Sequence, residues 1–345
     1  MSGKKDEKKF EKEMREIRKV RYQRMKSEGI ENYLTPEQIR YNRNKKLVGV
    51  IWPIFRFLIL FGLCFVILYP LIFMISTAFR PSEQMNDPSI IWLPKSLTLD
   101  NIRQTWDIMD FGPTVFNTVR LNMVASLLQV VTCSITGYGF ARFNFRGKKI
   151  LFLIVIAMIL VPPQIITIPL YIQYADFDFF GLYNGEIISL IDTVWPMYLP
   201  AMFANGLRAG LFILIFRQFF RGLPKELEDA AYLDGCGPLK TYVKVIVPNA
   251  LSSFLTVFLF SIVWYWNDFY VSSSFYTRNN TVALMLKNLD AALVSNLFNN
   301  HTPGIRALIV WLESGCILAI APILIMYIFL QRYFIEGVER SGLVG

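Results

Sequence analysis

Six long apolar runs, near residues 53–78, 117–140, 150–172, 186–214, 248–271 and 305–330, restrict this chain more than any other feature. A bilayer's hydrocarbon core is about 30 Å thick, and about 20 mostly apolar residues in helical form cross it. No water is available at that depth, so a spanning segment must satisfy its own backbone, which leaves helices and closed barrels. Runs this long and this uniformly apolar favour helices. The composition agrees, with 54% of the 345 residues apolar and the charges gathered between the runs. The expectation is an all-α integral membrane fold with six transmembrane helices. The first run starts too far into the chain, and continues too long, for a cleaved secretory signal, so it reads as a retained span.

Charge gives the orientation. Residues 1–50 carry 15 Lys/Arg against 8 Asp/Glu, which supplies most of the net charge of +9. Such an excess marks the cytoplasmic side. The alternation continues: residues 80–116 hold more acids than bases, the turn Arg142-Phe-Asn-Phe-Arg146-Gly-Lys148-Lys149 has only cations, and residues 173–192 have only anions, Asp176, Asp178, Glu186 and Asp192. Arg217, Arg221, Lys225, Lys240 and Lys244 then place the next connection inside. Six spans with this alternation put both termini in the cytoplasm. The division is a basic cytoplasmic arm, residues 1–47, and a six-helix membrane domain, residues 48–345. The arm interleaves Glu with Lys and Arg at helical spacing, as in Glu11 and Arg15, and lacks the aromatic platforms of single-strand binders. It reads as a solvated arm, with no nucleic acid as partner.

Several chemistries are excluded or disfavoured. The single histidine, His301, has no second ligand type beside it, so neither histidine-based catalysis nor a zinc site is expected. The four cysteines show no disulfide or metal spacing: Cys64, Cys133 and Cys316 fall within spans and Cys236 within a cytoplasmic loop. A phosphate-binding loop is absent, because Arg142 stands at its first glycine position before Gly147-Lys148 and Lys149 replaces the required Ser/Thr. The chain is expected not to be an enzyme, and to hold no cofactor.

Between the fourth and fifth runs lies the segment 221–248, too charged to span and too helix-prone for a plain loop. Pro224 suits a helix's first turn, Glu226, Glu228 and Asp229 suit the positive end of its dipole, and Gly235 suits a left-handed stop. The spacing predicts a helix of about three turns lying under the membrane. Ala230 and Ala231 leave part of its surface bare, so another protein can approach the backbone. A chance amphipathic helix is the alternative, since Ala, Glu and Leu favour helices anyway.

Asp229-Ala230-Ala231, three residues, Gly235, nine residues, then Val245-Ile246-Val247-Pro248 resembles the EAA signature of ABC importer permeases. The usual first residue is Glu; here it is Asp229, with Glu228 one place earlier as the other available acid. Asn117-Thr118, Gly137-Tyr138-Gly139-Phe140-Ala141-Arg142, Phe216-Arg217-Gln218-Phe219-Phe220, Trp266-Asn267-Asp268-Phe269 and Gln331-Arg332-Tyr333-Phe334 are similar to the carbohydrate-uptake branch, and to the smaller permease subunits of maltose-type importers. The similarity covers about residues 48–345. The tail Ser341-Gly342-Leu343-Val344-Gly345 departs from the branch's usual ending.

The resemblance implies a type I ABC importer permease fold in the bacterial inner or cytoplasmic membrane, with a cytoplasmic coupling helix and half of a translocation pathway for a mono- or oligosaccharide. It implies as partners a second homologous permease, an ATPase subunit dimer that binds ATP and Mg, an extracellular or periplasmic solute-binding protein, the sugar and membrane lipid. The coupling residues would be Glu226, Glu228, Asp229, Ala230, Ala231, Asp234 and Gly235. For the pathway, ionisable groups in spans are costly and mark buried or functional positions. Arg120 and Asp192 read as structural. Asp268 and Glu313 are accompanied by Trp264, Trp266, Asn267 and Trp311, and aromatic faces with amide and carboxylate groups suit a sugar. Tryptophans at membrane interfaces are the alternative reading. Competing functions are a permease for a non-sugar solute, an ion-coupled secondary transporter, for which internal repeats are lacking, and a membrane enzyme, for which clustered catalytic groups are lacking.

Overall fold

The computed structural model describes residues 13–14, 16–17, 19–20, 23–24, 36–87, 93–178, 188–277, 281–298 and 305–342; within these, residues 36–48, 50, 86, 305–307, 330 and 332–342 are described by backbone alone. Most of the basic arm, Glu186, His301 and the last three residues lie outside that set, as do the side chains of Arg332, Tyr333 and Phe334. Packing divides the chain into two compact units, Met1–Leu71 and Ile72–Gly345.

The fold is helical. Helix α1 runs Pro36–Ala78, α2 Asp100–Ile108, α3 Phe111–Arg142, α4 Lys148–Leu160, α5 Pro163–Ala175, α6 Trp195–Met202 and α7 Ala209–Gly222. Then follow α8 Glu226–Leu233, α9 Pro238–Asn249, α10 Leu251–Trp266, α11 Tyr270–Phe275, α12 Val282–Lys287, α13 Leu289–Leu297 and α14 Ile305–Gly342. Among the described residues the β pairing amounts to one bridge, Phe177 with Ile188. The helix that carries the first expected span, α1, already starts at Pro36, within the expected arm. From Ile51 to Leu71 the large side chains of α1 are exposed on every side, as suits a helix surrounded by apolar neighbours rather than by water.

Among the described residues three helical stretches, Ile51–Ala78, Phe111–Arg142 and Leu308–Phe329, are long and apolar enough to cross a membrane; two bent pairs raise the number to five. The third expected span is such a pair: α4 and α5 meet at 101°. Pro162-Pro163 causes the bend, since Val161, lying before a proline, is driven to an extended ψ of 118° and Pro163 opens the next helix. The fifth is α9 with α10, bent by 80° after Pro248. Pro248 has no N–H for the carbonyl four residues back, and a π turn over Tyr242–Ile246 absorbs the loss. The fourth expected span departs furthest. The described part of its 186–214 run holds two short helices, α6 and α7, separated by residues 203–208. Ala204 and Arg208 in that break take left-handed backbone conformations, with φ of 54° and 62°.

Lipid tails are as apolar as a leucine, so helices in a membrane associate by close packing rather than by escape from water. Gly137 shows how closely α3 and α7 approach: a Cβ there would lie 2.7 Å from Phe216 Cβ and 3.0 Å from the Arg217 nitrogen. Phe212, Phe216 and Phe220 of α7 fill the core beside that contact, with Cys133 and Tyr138 of α3, Tyr242 and Ile246 of α9 and Val257 of α10. A second core joins Met109, Phe111, Trp266, Leu289, Leu293, Val310 and Trp311. Asn101 closes the end of α1, donating to the carbonyls of Ala78 at 2.9 Å and Arg80 at 2.7 Å.

Candidate functional site

Helix α8 carries the motif singled out in the sequence. It is shorter than expected, eight residues or about 12 Å. Pro224 precedes it instead of opening it: Leu223 is extended at ψ 140°, as the residue before a proline prefers, and this ends α7. At the other end Gly235 takes φ +75°; its N–H donates to the Tyr232 carbonyl at 3.0 Å and that of Cys236 to the Ala231 carbonyl at 2.9 Å. This is the paired Schellman stop, and it needs the left-handed residue glycine supplies.

The helix has two different faces. Glu226, Asp229, Ala230, Asp234 and Gly235 are exposed, and Leu233 is 89% exposed. Glu228 and Ala231 are buried. Glu228 Oε1 lies 3.0 Å from Arg142 Nε, with the two side chains only 10% and 6% exposed. Arg142 Nη2 also donates to the Leu223 carbonyl at 2.7 Å. One arginine at the end of α3 thus holds both α8 and the turn leading into it. Of the two adjacent acids, Asp229 faces outward and Glu228 faces the protein.

About 20 Å farther along α3, the break between α6 and α7 is held by side chains. Gln129 Nε2 donates to the Leu207 carbonyl at 2.6 Å, the Leu207 N–H donates to the Tyr265 hydroxyl at 3.3 Å, and that hydroxyl donates to Gln129 Oε1 at 2.5 Å. Thr132 donates to the Ala201 carbonyl at 2.7 Å. Unwound backbone at membrane depth is tolerated where protein or a water-filled cavity satisfies it, and Gln129 and Tyr265 do this for Leu207. A Cβ at Gly206 would lie 2.5 Å from the Tyr265 hydroxyl, so the residue there has to be glycine.

The six pathway candidates separate. Trp266 is buried and donates to the Ala319 carbonyl at 3.0 Å, and Trp311 is buried and donates to Gln104 Oε1 at 2.7 Å; both belong to the second core. Glu313 on α14 is half-buried. Trp264 lies on the other side of α10, partly exposed, with the Arg208 guanidinium 4.3 Å from its ring centroid. Asn267 is exposed and donates back to the Val263 carbonyl at 2.9 Å. Asp268 caps α11, accepting from the N–H groups of Val271 at 3.3 Å and Ser272 at 3.1 Å. Asp192 accepts from both the N–H and the hydroxyl of Thr277, and Arg120 donates to Asn117. Asp268, Tyr265, Asn205 and Arg208 line a cavity of about 1100 Å³ bounded by α4 to α7 and α10. Gln129, Tyr265 and Arg208 were not singled out in the sequence, although Asn205-Gly206 is a turn dipeptide that could have signalled the break.

Residues 130–340 match the model of the binding-protein-dependent transport system inner membrane component family. The chain belongs to this family. The matched region starts within α3 and takes in the break, α8 and its tie to Arg142. The permease is 30% identical over 299 residues to the arabinooligosaccharides transport system permease protein AraQ of Halalkalibacterium halodurans, covering 85% of this chain and 98% of that one. It is 26% identical to the melibiose/raffinose/stachyose import permease protein MelC of Bacillus subtilis, over 75% and 86% of the two chains. With the trehalose transport system permease protein SugB of Mycobacterium tuberculosis it shares 24% identity over 81% and 93%. In fold, the permease matches a chain of a bacterial ABC transporter involved in the import of the acidic polysaccharide alginate, at a TM-score of 0.65 and 17% identity, over 82% of this chain and 96% of that one. This permease is therefore a membrane component of a binding-protein-dependent ABC transporter, and its helical fold is that of an importer subunit.

Proposed function

We propose that the permease forms half of the pathway of an ATP-driven sugar importer and receives the movement of separate ATPase subunits through α8. The observation that carries this reading is the division of α8: a bare outer face at Asp229, Ala230, Asp234 and Gly235, and an inner face tied to α3 through Glu228 and Arg142. A short helix held at both ends and on one side moves with the helices behind it, so displacement of its outer face by an ATPase reaches α3 and α7. Energy is transferred because the contact is better in one state of the pathway than in the other. The chain has no nucleotide-binding loop, so ATP and Mg belong to the partner ATPase pair. A second permease completes the pathway, and a solute-binding protein delivers the cargo on the opposite side.

Sugar as the cargo is supported by the names of the three relatives above. Charge alternation supports six crossings with both termini in the cytoplasm, α6 and α7 together making the fourth. Reconstitution of the permease pair with binding protein, with and without the ATPase, tests the reading. ATP-dependent sugar uptake that disappears without the ATPase is expected; uptake driven by an ion gradient in its absence would contradict it.

A further inference from the structure

Arg208 occupies an unusual place for a cation. Arg142 is charged and bound to the amphipathic α8, so it marks the water-facing end of α3. Gln129 stands 142 − 129 = 13 residues up the same helix, about 20 Å away and inside a hydrocarbon core about 30 Å thick. Its amide holds the Leu207 carbonyl, so Arg208, the next residue, is at that depth too. The side chain is exposed on this chain. No carboxylate among the described residues pairs with it; its contact is the face of Trp264 at 4.3 Å. A guanidinium turned to lipid at that depth is unfavourable, and such groups face bundle interiors or aqueous cavities. Arg208 indeed lines the 1100 Å³ cavity, and it is the one cation in that lining. Of the two acids there, Asp268 already accepts from Val271 and Ser272, and Asp178 belongs to the segment after α5.

We propose that Arg208 is a binding position for the carboxylate of an acidic saccharide carried through this cavity. The proposal rests on the reading of the chain as a sugar-importer permease. The cation–π contact with Trp264 holds the guanidinium without using any of its hydrogen-bond donors. Those donors form a rigid fork, which a carboxylate matches with two parallel hydrogen bonds. A neutral sugar's hydroxyls would accept single hydrogen bonds but would leave the charge without a counter-ion. Asn205, exposed three residues earlier in the same break, adds an amide for neighbouring hydroxyls.

The test uses the complete importer in proteoliposomes, supplied with ATP and an equal mixture of oligogalacturonates and the same oligomers with their carboxyl groups reduced to alcohols. Luminal saccharides are measured by mass spectrometry. The wild type is expected to accumulate the acidic oligomers in preference. Arg208→Gln should lower their accumulation about tenfold or more relative to the neutral set, as loss of a charged hydrogen bond implies, and Arg208→Lys should fall between the two. Preference for the neutral set, or an equal fall of both sets in Arg208→Gln, would overturn the proposal; the latter outcome would make Arg208 a structural partner of the second permease. No ATP-dependent accumulation of either set, in an importer that does accumulate a neutral oligosaccharide, would also overturn the proposal; ATP-dependent uptake of no saccharide at all would overturn the reading as a sugar importer.

Discussion

Glu228 and Asp229 are chemically alike and adjacent, yet they face opposite ways, and this separates what each substitution does. Removing one partner of a buried ion pair strands the other charge, at a cost of about 3 to 5 kcal/mol, whereas replacing both with apolar groups is close to neutral. Glu228→Gln is therefore expected to lower the thermal midpoint of the detergent-purified permease, and Arg142→Met with Glu228→Leu to restore most of it. A double variant no more stable than the single would show that the pair does not hold α8. Asp229→Ala, on the exposed face, should leave the midpoint unchanged. The sequence offered both acids as coupling residues because a helix motif fixes spacing, not which side packs inward. That choice depends on Arg142, which lies in another part of the chain.

At the level of elements, the runs of apolar residues were legible, and the bend at Pro162-Pro163 follows from local chemistry. The fourth run gave no sign of its break, because apolar content does not distinguish a continuous helix from two pieces. What stabilises the break lies far off in sequence: Gln129 is 78 residues from Leu207, and Tyr265 is 58. The candidate tryptophans were read as a group, but Trp264 and Trp266 are two residues apart on a helix and so point to different sides. Gly206→Ala tests the hydrogen-bonded node. The added methyl would sit 2.5 Å from the Tyr265 hydroxyl and 2.7 Å from Gln129 Oε1, and overpacking of this kind costs about 1 to 3 kcal/mol. Hydrogen exchange at residues 203–208 is expected to quicken in the variant; unchanged protection would mean that the node does not hold the break.

For the whole molecule, the proposed topology puts α8 and Cys236 in the cytoplasm. Cys236 is partly exposed just beyond the Schellman stop. A membrane-impermeant thiol reagent is expected to label it in inside-out vesicles stripped of ATPase and not in intact cells; labelling in intact cells would reverse the topology. In the proposed mechanism the outer face of α8 receives the ATPase. Ala230 is exposed there while Ala231, its neighbour, is buried, so bulk can be added at 230 without entering the core. The most direct measurement is sugar uptake per ATP hydrolysed in proteoliposomes carrying Ala230→Trp. A fall of about tenfold or more is expected, since bulk blocks a close backbone approach, with the permease's thermal midpoint preserved. Undiminished uptake per ATP in that variant would contradict the mechanism.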